Sequence, residues 1–440
     1  MNLLERANRQ ADSAEVYEIV SSSVPVSFSS GELESVKNVE TSGVALRVID
    51  GGKLGFSTTT DPGNGKGIVD RALETAGFGD EAGFEFSNPS DGKSLNTYDP
   101  EITEIGAKEL IDYGREVIDR LSGFDPELEI DVDLNRSVGK TRISNSNGLN
   151  VSEDKTKLSL SLEIKKVGQE DIFTFHESLV AQHLDQFDIE RPTEKAIQKV
   201  KWAEREAKIE RGSYPIIFTP RGTLVLLVPL LAGFNGKYVY QGASPLEGKL
   251  GERAFADSLN ILDYGSMEGS PTRRSFDDEG TPVEKVDLIS NGEVKNFLYD
   301  LQTAGQADVE PTGNGLKGGL ISGSDFRSAP SISPTTLIIE PGEEKFGGMI
   351  SGLDEGLVVD QVLGLGQGNT LSGEFSNNVS VAYKVEDGAI VGKVKDTMIA
   401  GNVYELLKQG VKLGKETEWV GGGLSAPALA LEAVNVVRKG

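Results

Sequence analysis

The sequence alternates over much of its length between short runs of apolar or β-branched residues and turn pairs that contain glycine. Leu128–Leu134 (LEIDVDL) and Leu158–Lys165 (LSLSLEIK) carry an apolar residue at every second position, which is the pattern of a half-buried β-strand. A pair of Asn or Asp followed by Gly recurs at three places in the chain: Asn147-Gly148, Asn291-Gly292 and Asp387-Gly388. Because such pairs favour tight two-residue turns, the pattern predicts antiparallel hairpins.

Helical periodicity occupies fewer segments, and these divide the chain. Ile68–Ala76 and Ile105–Leu121 repeat apolar residues at three- and four-residue spacing, and Thr193–Lys208 is a charged helix with its N-cap at the first residue. We predict an α+β fold. Residues 1–210 form an N-terminal domain of antiparallel strands with packed helices, and residues 211–440 form a C-terminal, mostly-β, barrel-like domain.

Several segment boundaries are predicted more closely. Ala14–Val20 and Val24–Ser29 are assigned to two separate short strands. Near the end, a short helix at Val403–Lys408 is followed by a C-terminal tail, Ala426–Val437, with no strand assigned to it.

An apolar helix near the start of the second half is predicted from Thr219 and Pro220, a hydroxyl cap and an N-terminal proline. One face is expected to pack inward, because leucines recur at helical spacing: Leu224, Leu227, Leu230 and Leu231. Pro229 is expected to kink this helix or to end it early. Residues 221–246 contain no His, Asp, Glu or Cys, so this helix offers no ligand for a metal and no group for proton transfer.

A string of motifs in fixed order surrounds this helix: LEGKLGERAF, SFDDEGTP, PTGNG and SGEFSNNVSVAYKVEDGAIVGKVKDTMIAGN. The string resembles the TldD/PmbA family, also called modulator of DNA gyrase, over essentially the whole chain. In the TldD branch the helix carries a His-Glu-x-x-x-His zinc motif, which a Cys near the C-terminus completes. Here the helix lacks these residues, the chain has no Cys, and Gly421–Gly423 stands about where that Cys would fall.

The resemblance is therefore to the PmbA/TldE branch, and it implies a non-catalytic subunit of a zinc peptidase complex that processes or degrades unfolded peptides. Zinc is expected in a TldD-like partner, and no cofactor, metal ligand or catalytic residue is expected in this chain. The subunit would shape a cleft between subunits and hold extended peptide, for example as an added strand at a sheet edge. Two alternatives remain open, a homodimeric peptide hydrolase with a non-zinc site and a homodimeric peptide-binding protein.

The acidic run Asp277, Asp278 and Glu279 is a candidate for the cleft. Paired carboxylates can act as general acid and base or hold a hard cation. The alternative is a turn whose Asp side chains bond their own backbone. Because the family shares this run in branches with and without zinc, we favour a structural or cleft-lining role.

Two glycine-rich loops supply the remaining cleft candidates, Asn314 and Gly315 in PTGNG and Asn369 in GLGQGN. For the second loop, contact with substrate or partner and a role only in the turn are both open. The first loop matches G-x-G-x-x-G, but the match is weak as a dinucleotide fingerprint, because the residues after it lack a helical pattern. Its backbone N–H groups are expected to bind a peptide carbonyl or carboxylate.

The two histidines, His176 and His183, are seven residues apart. In a helix this spacing separates them by two turns, and in a strand it places them on opposite faces, so neither arrangement favours one metal site. We predict hydrogen-bonded or surface histidines without a metal role.

The net charge of −25 and the lack of a basic patch argue against nucleic acid as a partner. The longest apolar run, Leu224–Ala232, is too short to span a bilayer, and the N-terminus has no signal-peptide pattern. A cytoplasmic protein without membrane contact is predicted.

Overall fold

The computed structural model describes residues 2–61, 63, 65–89, 94–168, 171–320 and 323–438. The N-terminal half is built on one antiparallel sheet: β1 Ser13–Ser29, β2 Glu32–Val36, β3 Val39–Asp50, β4 Lys53–Thr59, β5 Leu128–Asn145, β6 Asn150–Val167 and β7 Ile172–Ala181. The strand order is β4-β3-β1-β5-β6-β7, and β2 pairs with the end of β1. Strand β7 is thus an edge of this sheet.

The N-terminal strands are longer than predicted. The two segments assigned within residues 14–29 form one strand, β1, because the polar residues between them continue the ladders with β3 and β5. Strand β5 likewise runs on through Gly139, which pairs with Ser21. The predicted turn at Asn147-Gly148 is confirmed: Gly148 has a φ of 91°, and β5 and β6 pair from Ser144 and Asn150 onward.

The helices of the described residues are α1 Leu3–Ala7, α2 Gly65–Ala76, α3 Pro100–Glu104, α4 Ala107–Phe124, α5 Glu190–Trp202, α6 Leu224–Phe234, α7 Gly236–Tyr240, α8 Leu301–Ala307, α9 Phe346–Ser351 and α10 Val403–Leu406. Helices α2 and α4 pack on the N-terminal sheet through buried aliphatic side chains. None of the helices within the described ranges has the length and hydropathy that a membrane span requires.

Neighbouring residues of β1 show how the sheet is used on both faces. Val16 belongs to a core cluster with α2, whereas Tyr17 belongs to a cluster with Phe276 and Phe326 of the C-terminal half. Since consecutive side chains of a strand point to opposite faces, one face holds the helices and the other contacts the second half of the chain.

Helix α5 begins at Glu190 rather than at the predicted Thr193. The Thr193 hydroxyl is not a cap, because it donates to the carbonyl of Ile189 at 2.7 Å, one turn back within the helix. The helix also ends at Trp202, six residues before the predicted end. The residues that follow cannot extend the helix, because Glu206 and Ala207 pair with strand residues Lys393 and Val394.

The strands of the C-terminal half are β8 Glu206–Ala207, β9 Gly212–Phe218, β10 Ile261–Tyr264, β11 Lys285–Ser290, β12 Glu293–Val294, β13 Gly315–Leu316, β14 Gly318–Gly319, β15 Gly323–Ser324, β16 Ser331–Ile332, β17 Leu337–Ile339, β18 Glu355–Leu363, β19 Glu374–Glu386, β20 Ala389–Val394, β21 Thr397–Asn402, β22 Lys412–Val420 and β23 Leu424–Arg438. Strand β9 pairs with β18, β18 with β19, β19 with β21, β21 with β23, and β23 again with β9. These pairings close a ring, so the predicted α+β fold with a barrel-like second half is confirmed.

One feature of this half differs from the prediction. Residues 426–437, predicted as a tail, lie in β23, which pairs with β9, β17, β21 and β22. The boundary between residues 210 and 211 remains a prediction, and Glu206–Ala207 already pairs with β20 of the C-terminal sheet.

Candidate functional site

Helix α6 begins at Leu224, with Thr223 as the residue before it, and not at Thr219. The Thr219 hydroxyl has another use: it donates to Asp360 at 2.7 Å and accepts the backbone N–H of Gly222 at 3.2 Å. Thr219 therefore ties the turn before α6 to strand β18.

Helix α6 does not end at Pro229, because it continues to Phe234. Most of its side chains are buried in the core of the C-terminal half, on more than the one predicted face: Val225, Leu226, Leu227, Pro229, Leu230 and Phe234. This burial compensates for the backbone hydrogen bond that proline removes. The helix is thus a core element, and its own side chains supply no chemical group.

A buried ion-pair cluster lies beside the start of α6 and links three elements. Lys199 of α5 contacts Asp360 of β18 at 2.5 Å and also pairs with Glu177 of β7. Burial alone would lower the pKa of Lys199, but the two carboxylates outweigh it and raise this pKa. Burial likewise opposes ionisation of Asp360, yet Lys199 holds the pKa of Asp360 below its ordinary value, with a smaller contribution from Arg221.

Three neighbouring cavities follow the edge strand β7, on either side of this cluster. One of about 720 Å³ lies beside Ile172–His176, the start of α6 and the loop at Leu363–Leu365. A second, of about 300 Å³, lies beside Glu177 and Ser178. The third, also of about 300 Å³, continues along residues 177–180 of β7. Together they form a groove, here called the β7 groove, between the two halves of the chain.

The side chain of Gln361 occupies the middle of this groove. Its amide nitrogen donates to the carbonyl of His176 at 2.9 Å, and its amide oxygen accepts the backbone N–H of His176 at 3.3 Å. These are the two backbone groups through which a further strand would pair with β7. By strand alternation, the backbone groups of Thr174 and Ser178 face the same open side.

The acidic turn lies elsewhere and is buried between the two halves of the chain. The side chain of Asp277 accepts three backbone N–H groups, from Glu279 and Thr281 at 2.9 Å and from Gly315 at 2.9 Å. Burial and the nearby charge of Glu279 raise the pKa of Asp277. Asp277 therefore acts as the acceptor that shapes its own turn, as the structural alternative anticipates.

Each of the other two acids of the turn has a cationic partner. Asp278 pairs with Arg274 at 2.7 Å, which keeps the pKa of Asp278 low in spite of its burial. Glu279 pairs with Arg47 of β3 at 2.5 Å, and Arg47 also binds Glu15 of β1 at 2.7 Å. Burial nevertheless raises the pKa of Glu279.

Exposure decides what these three carboxylates can contact in this conformation. Asp277, Asp278 and Glu279 are 1%, 3% and 1% exposed. A ligand in the β7 groove would not reach them, and the groove is lined by other residues. Their predicted contact with substrate stays a prediction, and their geometry favours a structural role.

The first glycine-rich loop joins the same network. Gly315 and Lys317 donate their backbone N–H groups to the carboxylates of Asp277 and Asp278, at 2.9 and 2.7 Å. Asn314, fully buried, donates to Asp263 at 2.6 Å. The N–H groups that were expected to bind a peptide carboxylate thus bind carboxylates of this chain.

Asn369 is separate from that network and is exposed. Its side chain accepts the backbone N–H of Ser372 and begins the short 3-10 helix Thr370–Ser372. The loop before it, Leu363–Leu365, borders the largest cavity of the β7 groove. The structure therefore leaves Asn369 exposed, outside the lining of the groove, and places the other five candidates in the interior.

The histidines do not come together. His176 lies in β7, 3.6 Å from Glu163, whereas His183 lies beyond the strand, near Asp99. Within the described ranges, no group of three His, Cys, Asp or Glu side chains is placed to hold a metal ion. Helix α6 has no His, Asp, Glu or Cys side chain, and the whole sequence contains no cysteine. The residues of α6 therefore do not fit a zinc ion.

Sequence reasoning did not find Lys199, Asp360 or Gln361. Lys199 lies 161 positions before Asp360, and Gln361 follows Asp360 directly, so no spacing rule connects the lysine with the other two. A polar pair inside the otherwise apolar strand β18 (Asp360-Gln361 in GLVVDQVL) is the signal that could have drawn notice.

Fold and site together define a two-part α+β protein with a closed C-terminal ring, a buried apolar helix and a groove at a sheet edge. Residues 211–438 match the PmbA/TldA metallopeptidase C-terminal domain, and residues 14–77 match domain 1 of the same family. The chain therefore belongs to the PmbA/TldD metallopeptidase family, as the motif resemblance indicated.

Three relatives illustrate this membership. The chain is 26% identical to an uncharacterized protein of Methanocaldococcus jannaschii, over 93% of this chain and 94% of that protein. It is 26% identical to a protein of Methanothermobacter thermautotrophicus named metalloprotease, over 86% of this chain and 82% of that protein. The crystal structure of TldE from Thermococcus kodakarensis has the same fold, with a TM-score of 0.90, 24% identity and 99% of both chains covered.

Proposed function

We propose that this chain is the zinc-free subunit of a TldD/TldE-type peptidase complex, and that it binds extended peptide while a TldD-like partner supplies the zinc. The observation that carries the proposal is helix α6, where the TldD branch holds its zinc motif. In this chain the helix has no ligand side chain, and its residues are committed to the apolar core.

The β7 groove supports the peptide part of the proposal. Edge strands offer N–H and C=O groups with which an extended peptide can pair as an additional strand. Gln361 binds these groups at His176, so a peptide would pair through those of Thr174 or Ser178, or displace the Gln361 amide. Here that edge is bordered by cavities along residues 172–180, which give room for side chains of the guest. The peptide would be held by backbone hydrogen bonds, so that many sequences could bind.

Compartment and assembly follow from the same proposal. We place the complex in the cytoplasm, where it would receive unfolded peptides, with a heterodimer of this chain and a TldD-like subunit as its working unit. A homodimeric peptide-binding protein is the alternative. The β7 groove supports it as well, because one chain supplies the whole groove and no TldD-like subunit is needed to form it. A hydrolase based on the acidic turn has less support, since its carboxylates are buried and paired.

The proposal is tested by peptide cleavage with three samples: this chain, a TldD-like subunit from the same organism, and their mixture. We expect cleavage only in the mixture, and loss of it on addition of a chelator. Chelator-resistant cleavage by this chain alone would contradict the proposal. Peptide binding by this chain without cleavage in any sample would favour the homodimeric peptide-binding protein.

A further inference from the structure

The middle cavity of the β7 groove has an unusual lining, and we call it the tryptophan pocket. The chain has two tryptophans, and both of them, Trp202 of α5 and Trp419 of β22, line this pocket of about 300 Å³ together with Phe346. Trp202 lies 6.3 Å from Phe346 between ring centroids. Ligand pockets for whole small molecules measure about 300–1,000 Å³, so this one suits a single long side chain.

The position of the pocket relates it to the proposed peptide. Ser178 of β7 borders it. By strand alternation from His176, the backbone groups of Ser178 face away from β6. Side chains of an added strand alternate between two directions, and pockets beside such an edge select alternate residues of the guest. A peptide paired with β7 at Ser178 would place one side chain in the tryptophan pocket.

The charges around the pocket favour a cationic guest. Among the described residues that line it, four are acidic and three are basic. Glu177 and Asp360 are balanced by Lys199 and by the nearby Arg221, which lowers the pKa of Asp360. Lys195 and Glu418, which also line the pocket, form a second ion pair at 2.5 Å.

One carboxylate is left over. Glu416 accepts a hydrogen bond from the backbone N–H of Phe346 at 3.2 Å, and in the described part of the chain it forms no ion pair. Indole faces carry negative potential and attract cations, more often that of arginine than that of lysine, and the planar guanidinium of arginine also stacks on the ring. The leftover charge and the aromatic rings therefore favour the same kind of guest.

We infer that the tryptophan pocket binds the arginine side chain of an extended peptide, with the guanidinium on the indole rings and near Glu416. This inference rests on the proposed peptide binding and adds a preference for basic peptides. It gives the zinc-free subunit a part in selecting the substrate.

The two tryptophans report on the pocket directly, because no other residue of the chain contributes indole fluorescence. The full-length chain is titrated with capped pentapeptides that contain four alanines and differ at the central residue: arginine, citrulline, alanine or glutamate. Citrulline is the matched control, since it has nearly the shape of arginine without its charge. Binding is measured in parallel by calorimetry.

We expect the arginine peptide to bind at least about fivefold more tightly than the citrulline peptide, and its binding to change the tryptophan emission. Glu416→Gln should reduce this ratio, whereas Glu310→Gln, an exposed acid outside the pocket, should leave it unchanged. Equal affinity for arginine and citrulline peptides would overturn the inference and leave the proposed peptide binding intact. Arginine-selective binding without any change in tryptophan emission would also overturn it. If calorimetry detects binding of none of the peptides, the proposed peptide binding by this chain fails, and the inference fails with it.

Discussion

Single residues of the acidic turn show how this protein keeps carboxylates in its interior. Asp277 is satisfied by backbone N–H groups, Asp278 by Arg274, and Glu279 by Arg47. An unpaired buried charge would cost several kcal/mol, so each acid needs its partner. The letters DDE in the sequence do not say which partners these are. The partners come from strands and loops far away along the chain.

Gly315 is a position where only hydrogen fits. A Cβ built there would overlap the carboxylate of Glu279, which is itself fixed by Arg47. We expect Gly315→Ala to lower the free energy of unfolding by about 1–3 kcal/mol, as overpacking does. Urea unfolding measures this. The control is Gly123→Ala in α4, where nothing lies within 4 Å and the better helix propensity of alanine should leave stability unchanged or slightly higher. Equal effects of the two changes would contradict the steric argument.

Lys317 makes the stability of the protein vary with pH in the alkaline range. Burial, with help from the charge of Arg47, lowers the pKa of Lys317 to about 8, while its amine lies over the rings of Tyr17 and Phe56. The unfolded chain holds this proton up to an ordinary lysine pKa near 10.5. Between these values the unfolded state binds more protons, so stability rises with pH there and is lost as pH falls through 8.

The free energy of unfolding of the wild type and of Lys317→Met is measured by denaturant unfolding at a series of pH values from 7 to 10.5. Relative to this variant, the wild type should gain up to about 3 kcal/mol across the range. The exposed Lys37→Met serves as a control and should differ from the wild type by less than about 0.5 kcal/mol at each pH. A flat difference between wild type and Lys317→Met would show that the folded-state pKa is not lowered.

At the scale of elements, alternation and turn pairs predicted most of the strands, and their ends were predicted less well. The hairpins at Asn147-Gly148, Asn291-Gly292 and Asp387-Gly388 are present, because the positive φ of the glycine in each pair is a local property. Strand β1 was split in the prediction, since serines interrupt its apolar pattern. Strand β23 was missed although ALALEAV alternates, because two of its neighbours, β9 and β17, come from distant segments.

The edge strand β7 carries the candidate groove, and Gln361 controls one position of it. In Gln361→Ala, the backbone N–H of His176 loses its acceptor at 3.3 Å. We expect its hydrogen exchange to become about tenfold faster or more, as for an amide opened to water. The amide of Phe175 points into the ladder with β6 and should exchange at an unchanged rate. Unchanged exchange at His176 would contradict the assignment of Gln361 as the group that covers this edge.

At the scale of the whole molecule, buried ion pairs connect the two halves. Arg47 of the N-terminal sheet binds Glu279 of the C-terminal half, and Lys199 of α5 binds Asp360 of β18. Both contacts are largely removed from water, so loss of one partner leaves a charge without compensation. The relative position of the halves, and with it the β7 groove, depends on these pairs.

Arg47→Met tests this coupling. The change leaves Glu15 and Glu279 buried without their cation, and we expect a loss of about 3–5 kcal/mol in unfolding free energy at pH 7. Calorimetry should show one transition for the wild type and an earlier, separate transition for the variant. The exposed Arg115→Met in α4 is the control and should change stability by no more than about 0.5 kcal/mol. If both variants behave alike, Arg47 does not couple the two halves.

The sequence by itself determined the α+β class, the hairpins, the apolar helix without metal ligands and the family, because these depend on local spacing and on motifs in fixed order. Only the tertiary structure decided that the acidic turn is interior and that Lys199, Asp360 and Gln361 meet at an edge strand. The reason is that contacts between residues more than a hundred positions apart depend on how sheets pack, and no local pattern encodes that packing. The charge, exposure and partners of a site residue are therefore tertiary properties, even where its identity is plain in the sequence.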